Sequence, residues 1–309
     1  MNKQIIYIAE SLCESVKDSL LKAIDELNET NGMQIRCEML KNVPGCKEYY
    51  WCRDYMPVLV SEDGTYARFK FNPDYLRNSK TYCKCVIPQE EVCKGLNING
   101  SLDLGITFDG GNYVRCGNKV VMTDKIFTEN PEENAAKLLK KLEETLKAEI
   151  VLLPWDMKEF CGHSDGMVTY LGNGRVLLNG CWEKKAKSFH ERLMTILKGS
   201  FGADNVEVLR LEDVESRHTW CYLNYLQFGD VIFLPRLHAE TEAERSAAKA
   251  DKADAFSLSE EAHECDKAAL EAFENKKLFG GYKIKQVYAW PLVRRGGALH
   301  CVTWELVEE

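Results

Sequence analysis

The sequence predicts an α/β protein in which one hairpin–helix–strand unit recurs and closes into a ring of five. Three observations carry that prediction. The unit returns at intervals of roughly 55 residues, as units arrayed around an axis do. The first strand has no strand before it and the last has no hairpin partner of its own, so pairing the two removes both free edges. The polar residues that interrupt the apolar runs, Asp54, Asp109, His163 with Asp165, and Cys301, hold the same place in their units, on the inner strand just before the hairpin.

Residues 4–8 form a short apolar run read as a strand. Over 11–28, Val16, Leu20, Leu21, Ile24 and Leu27 fall at helical spacing, and 33–40 alternate like a strand after an Asn31-Gly32 turn. The second unit opens over 49–60, turns at Ser61-Glu62-Asp63-Gly64, returns over 66–71 and has a weaker helix near 89–96. The third runs over 106–114 with Asp109-Gly110-Gly111-Asn112, turns at Cys116-Gly117-Asn118 and returns over 119–123. Asn130-Pro131-Glu132-Glu133 then reads as a cap, a first-turn proline and first-turn acids for a helix to about residue 146, with a strand over 149–153.

The fourth unit, 161–171, contains Gly162-His163-Ser164-Asp165-Gly166, turns at Gly172-Asn173-Gly174 and returns over 175–179, with a helix over 188–198 and a strand over 206–211. In the fifth, 222–227 and 231–234 form the hairpin, a helix runs from about 257 to Gly280-Gly281, and 282–288 is the closing strand. A charged, alanine-rich insertion at about 238–258 reads as a lid or as a solvated surface helix. The stretch Arg294-Arg295-Gly296-Gly297-Ala298-Leu299-His300-Cys301-Val302-Thr303-Trp304-Glu305 is expected to put Cys301 two residues into a short apolar strand, just after the glycine pair. The whole chain, 1–309, is expected to be one domain.

Composition narrows the function. With 309 residues, 45% hydrophobic and 28% charged, the chain has ample core for a soluble globular protein. A net charge of −8 argues against nucleic acid and anionic membranes and permits a cationic substrate. No run is long enough to span a bilayer and no leader pattern opens the chain. Thirteen cysteines, an odd number in a chain too long to need staples, read as reduced thiols in the cytoplasm. Cys83-x-Cys85 with Cys93, and Cys161-x-His163, lack a second pair at zinc spacing, so no metal is expected. Homo-oligomerisation is left open.

Taken singly, the polar residues are unremarkable: a lone cysteine is ordinarily a small buried hydrophobe. Asp109-Gly110-Gly111 is ordinarily a turn, and Asp54 beside Arg53 an ion pair. Together they describe a site. His163 and Asp165 are two apart, so on a strand they point to one side. A cysteine with a histidine supplies a nucleophile and an acid/base partner. Acyl transfer would need donors for an oxyanion, and carboxylates around the thiol oppose that charge. They suit a planar cation instead, and a guanidinium matches carboxylates through its fork of N–H groups. Its positive charge also favours the thiolate. His300, alternating with Cys301, is expected to face away. Arg294, Arg295, Arg68 and Lys70 are candidate partners for a substrate carboxylate, and His218 is a weaker candidate contact.

Four stretches carry a resemblance: Trp51-x-Arg53-Asp54-x-x-Pro57, Asp109-Gly110-Gly111-Asn112, His163-x-Asp165-Gly166 and Gly296-Gly297-x-x-His300-Cys301-x-Thr303. In content and order they resemble the signatures of the agmatine deiminase and bacterial peptidylarginine deiminase family, among the guanidino-group-modifying enzymes. The resemblance implies a five-bladed pseudo-symmetric α/β propeller, the pentein fold, built of ββαβ units. It implies Cys301 as nucleophile, His163 as acid and base, Asp54 and Asp165 as guanidinium clamps, and Asp109 as the partner of His163. Trp51, Gly110 and Asn112 are placed at the substrate with them. No cofactor is implied, and the substrate is a small cationic guanidino compound, agmatine first. Free, methylated or peptide C-terminal arginine is the alternative, and a non-catalytic propeller that only binds is the third reading, against which Cys301, His163, Asp54 and Asp165 speak together. Departures are Asp109, where many agmatine deiminases have glutamate, and Trp304-Glu305, where they have glutamines.

Overall fold

The computed structural model describes residues 3–61, 63–96, 98, 101–157, 159–211, 214–250 and 252–308. Among them the strands form five separate sheets of three strands each. All five share one plan, a central strand with an antiparallel neighbour on one side and a parallel neighbour on the other. Lys3–Ala9 lies between Thr303–Glu308 and Arg36–Leu40. Tyr66–Lys70 lies between Val58–Leu59 and Leu102–Thr107, and Lys119–Thr123 between Val114–Cys116 and Glu149–Leu153. Arg175–Asn179 lies between Val168–Gly172 and Val206–Leu209, and Val231–Arg236 between Leu226–Phe228 and Lys283–Tyr288.

A parallel neighbour demands a crossover, and helices supply it. Glu14–Asn31, Ala135–Leu146, Lys187–Phe201 and Glu260–Phe273 serve the first, third, fourth and fifth sheets. Two short helices, Asp74–Arg77 and Gln89–Cys93, stand in the second. The helix Glu14–Asn31 buries Val16, Leu20, Ala23, Ile24 and Leu27, the stripe its spacing requires, and ends at Gly32 with φ at 62°, where a side chain would be strained.

The expected pairing of the two end strands is present: Ile6 faces Glu305 and Tyr7 faces Trp304. Over residues 5–9 the first strand is buried on both faces. Ile5 and Tyr7 enter one apolar core with Tyr66 and Leu104, whereas Ile6 and Ile8 enter another with Leu20 and Phe233. Trp304 locks the closing strand to the second sheet. Its ring packs against Tyr7 and Tyr66 at 5.6 and 5.4 Å, and its Nε1 donates to the Pro57 carbonyl at 2.7 Å.

Several expected elements moved. Leu102–Thr107 closes the second sheet rather than opening the third hairpin, because the run breaks at the turn Gly110–Asn112. Asn134, not Asn130, caps the helix Ala135–Leu146, accepting from the Lys137 amide at 3.2 Å. Asn130 is buried and exchanges hydrogen bonds with both backbone groups of Thr107, at 2.9 and 2.8 Å. In the turn at 61–64, Glu62 lies outside the described residues, and Val60 N donates to Thr65 O across it at 2.8 Å. The insertion folds as the helix Glu242–Ala250 followed by the 3₁₀ segment Lys252–Leu258. Each of the thirteen cysteines is a free thiol. Among the described residues no helix is long and apolar enough to cross a membrane.

Trp304→Ala should cost about 3–5 kcal/mol of stability, the range for truncating a fully buried aromatic. Urea unfolding followed by tyrosine fluorescence and circular dichroism measures the loss.

Candidate active site

The polar residues do not sit on strands. Asp54 is on the short helix Cys52–Tyr55 ahead of Val58–Leu59, and Asp109 heads the 3₁₀ turn Gly110–Asn112 ahead of Val114–Cys116. His163 and Asp165 lie in the loop ahead of Val168–Gly172, and Cys301 in the turn ahead of Thr303–Glu308. These five residues therefore come from the lead-ins to the antiparallel strands of four different sheets. A strand spends its amides on the ladder, whereas these lead-ins bond to one another. Arg53 N donates to Cys301 O at 3.2 Å, and Asp165 N to Gly111 O at 3.1 Å.

Released from strand geometry, His163 and Asp165 do not work as one pair. His163 Nε2 lies 2.9 Å from Asp109 Oδ2, and its Nδ1 lies 3.8 Å from Asp54 Oδ1. Asp165 Oδ2 lies 2.7 Å from His300 Nδ1 and accepts from Cys301 Sγ at 3.7 Å. His300, expected to face away as a structural residue, is thus bonded to a site carboxylate. Asp54, Asp109, Asp165 and Cys301 are all buried. Tyr49 Oη donates to Asp54 Oδ2 at 2.8 Å, and Tyr75 Oη donates to Asp109 Oδ2. Asp54 Oδ1 is buried without a hydrogen-bond partner.

The charges shift accordingly. Burial, then Asp109, push Asp54 well above the usual carboxylate range. Burial alone would lower His163, but Asp109, Cys161 and Asp54 outweigh it and raise the imidazole well above its ordinary value. Burial, then Asp165 and Asp54, raise the Cys301 thiol well above its own. Burial would raise Asp165, yet His300, His163 and Arg53 leave it lowered. Asp54, Asp109 and His163 bring one donor atom each within 4.8 Å of one another. These groups already face one another as acid and base, and that is how the trio reads.

Glycines set the close approaches. A Cβ on Gly110 would clash with the Arg53 carbonyl, one on Gly111 with the His163 ring, and one on Gly297 with the Trp51 ring. Of the residues expected at the substrate, Gly110 and Trp51 therefore take part in loop-on-loop packing. Asn112 spends its amide on Thr123, accepting from its N–H at 2.7 Å and donating to its carbonyl at 3.4 Å, and so fixes the turn. Asn224 was not anticipated. Its buried Oδ1 accepts from Ala298 N and Cys301 N at 3.1 and 3.3 Å, and its carbonyl from His300 N at 3.2 Å, so it holds the Cys301 turn. Arg53 adds its guanidinium, donating to the His300 carbonyl at 3.3 Å and to both Glu305 oxygens at 2.7 and 2.9 Å.

A cavity of about 780 Å³ reaches His163, Asp165 and Cys301. Its wall carries Trp155, Trp182, Trp220 and Phe189, the cations Lys185, Arg217 and Arg294, and the acids Asp156 and Glu159. Arg294 therefore reaches this wall, and so does His218.

The family model for Porphyromonas-type peptidyl-arginine deiminase matches residues 2–306. The chain belongs to that family. As a Porphyromonas-type peptidyl-arginine deiminase family member it is one of the C–N hydrolases that cleave amidine-type groups. Solved structures share its fold. Agmatine deiminase from Campylobacter jejuni matches at a TM-score of 0.62 and 13% identity, over 100% of this chain and 94% of the other. Agmatine deiminase from Enterococcus faecalis matches at 0.63 and 14%, over 99% and 94%. A Porphyromonas gingivalis protein described as an arginine deiminase matches at 0.65 and 15%, over 99% and 96%. No curated protein matches this sequence in direct comparison.

The raised imidazole makes a stability prediction. His163 holds its proton more tightly folded than unfolded, so its contribution is complete below the unfolded value of about 6.5 and is lost as pH rises through the folded value. Urea unfolding from about pH 6 to about pH 9 should show stability falling in the parent and falling less in His163→Gln.

Proposed function

We propose that the protein hydrolyses a guanidino group to a ureido group and ammonia through a covalent intermediate on Cys301. The supporting observation is the orphaned, buried Oδ1 of Asp54 inside a cluster of three carboxylates, one imidazole and one thiol. A buried acceptor without a donor is costly, and a guanidinium brings several N–H donors with the opposite charge.

In this reading Asp54 and Asp165 hold the guanidinium nitrogens. Its charge offsets the acids that keep the thiol protonated, and the thiolate of Cys301 attacks the guanidinium carbon, forming a C–S bond. His163, held protonated between Asp109 and Asp54, gives its proton to the departing nitrogen as the C–N bond breaks and ammonia leaves. The neutral imidazole then takes a proton from water as the water adds to the thiouronium carbon. Cleavage of the C–S bond, with the remaining hydroxyl proton passing to solvent, returns the thiolate and releases the neutral ureido product. We further propose that the five sheets are the blades of a propeller about one axis in a single domain spanning 1–309. That arrangement brings the four lead-in loops together. Its free thiols suit the reducing cytoplasm.

For the far end of the substrate, an agmatine-like ammonium would find Asp156 and Glu159 on the cavity wall. The second reading rests on Lys185, Arg217 and Arg294 on the same wall, which suit the carboxylate of free or C-terminal arginine. Assaying ammonia and ureido product with agmatine, arginine, methylarginine and C-terminal-arginine peptides ranks these. Turnover of none of them would overturn the proposal.

Cys301→Ala should abolish turnover while the unfolding midpoint stays near that of the parent; activity within about tenfold of the parent excludes the covalent route. Asp54→Asn should lower kcat/KM by several kcal/mol in transition-state terms, on the order of the cost of a half-paired buried cation. A kcat/KM equal to the parent's would remove Asp54 from the pocket.

A further inference from the structure

His300 stands immediately before Cys301, and its backbone is pinned from two directions. Its N–H donates to the Asn224 carbonyl at 3.2 Å, and its own carbonyl accepts from Arg53 Nε at 3.3 Å. Only the ring is left to choose a direction, and its Nδ1 lies 2.7 Å from Asp165 Oδ2. An ionised carboxylate accepts and never donates, so Nδ1 carries the hydrogen. Cys301 Sγ donates to the same oxygen at 3.7 Å. Both hydrogen bonds that the described residues give this carboxylate therefore fall on Oδ2. Asp165 lines the cavity that reaches Cys301, whereas His300 lines a second cavity, of about 390 Å³, and not the first.

We propose that His300 is the positioning residue of Asp165: from outside the substrate's cavity its Nδ1–H pins Oδ2 and leaves the other oxygen for the guanidinium. This rests on the proposed reaction and on Asp165 as one of its two clamps. A side chain that grips a planar cation must hold one orientation, and a buried acid acquires one from the donor behind it.

The donor also decides the charge. Asp165 is buried, which favours its neutral form, and a protonated Asp165 would lose the charge that pairs with a guanidinium. Four groups besides His300 face it: His163 and Arg53 favour the carboxylate, whereas Asp54 and the Cys301 thiolate oppose it. The His300 hydrogen bond is the foremost influence holding Asp165 below its ordinary value against burial. Around the ring itself the second cavity adds Arg115, Glu305 and the phenols of Tyr113, Tyr170 and Tyr225. His300 is 27% exposed against 4% for Asp165, so the ring joins this outer cavity to a buried acid. Removing the donor therefore moves Asp165 upward, and the acid is neutralised at a higher pH than in the parent.

The test measures ammonia release by the full chain across pH, with whichever of agmatine, arginine, methylarginine or a C-terminal-arginine peptide the parent turns over fastest. His300→Leu keeps the bulk and removes the donor, whereas His300→Asn sets an amide N–H where Nδ1 stood. Thermal melts establish folding, and His300→Ala replaces a leucine variant that does not fold. The leucine variant should lose about tenfold to about a hundredfold in kcat/KM, the worth of a hydrogen bond to a charged group. The acid limb of its profile should move to higher pH, and His300→Asn should restore most of the loss and return the limb. A leucine variant within about twofold of the parent overturns the role. So does an asparagine variant as impaired as the leucine one, and so does a uniform loss with the acid limb unmoved, which is the mark of a merely structural histidine. A parent that turns over none of the four compounds removes the reaction and this inference with it; an active parent with an indifferent leucine variant removes only the role of His300.

Discussion

Three carboxylates buried around one imidazole and one thiol are the constraint on which the rest of the molecule depends. Like charges at such range raise one another's protonation, and low dielectric magnifies the effect. Asp54 shows the outcome, held well above the usual carboxylate range by burial and by Asp109. An arrangement of this kind survives only if the scaffold holds it. Tyr49, Tyr75 and His300 each give a hydrogen-bonding partner to one of the acids, and the remaining oxygen of Asp54 is left for something that arrives from outside.

The scaffold does this with short loops braced against one another. Arg53 illustrates the economy of it: its amide meets the Cys301 carbonyl, its guanidinium meets the His300 carbonyl and Glu305, and its own carbonyl needs Gly110 to stay without a Cβ. Glu305, where many agmatine deiminases have glutamine, is thereby explained as the counter-charge of Arg53. Family membership agrees with this reading at the level of the reaction class.

Much of this was legible in the letters. Cys301, His163, Asp54 and Asp109 stand out because polar residues interrupt apolar runs at matching places, and the pairing of the end strands followed from counting unpaired edges. The details that escaped depend on which loops meet. Asn224 lies about eighty residues from the turn it holds, and nothing in its neighbourhood marks it. His300 was misread because a period-two argument was applied to a turn. Leu102–Thr107 was missed as a strand and its last two residues counted into the next segment, because Asp103 and Gly105 dilute its pattern, and Asn130 looked like a cap until Thr107 claimed its amide.

The strand that follows Cys301 pairs with the strand that opens the described chain, so the surroundings of that thiol exist only after the most distant segments have met. Such contacts are among the slowest to form. Until they do, the sulfur is an ordinary thiol of acidity near 8.5 with no carboxylates beside it. If the proposed reaction holds, chemical competence and completed folding are one event in this molecule, and a chain halted partway carries a thiol exposed to adventitious modification and without its carboxylates.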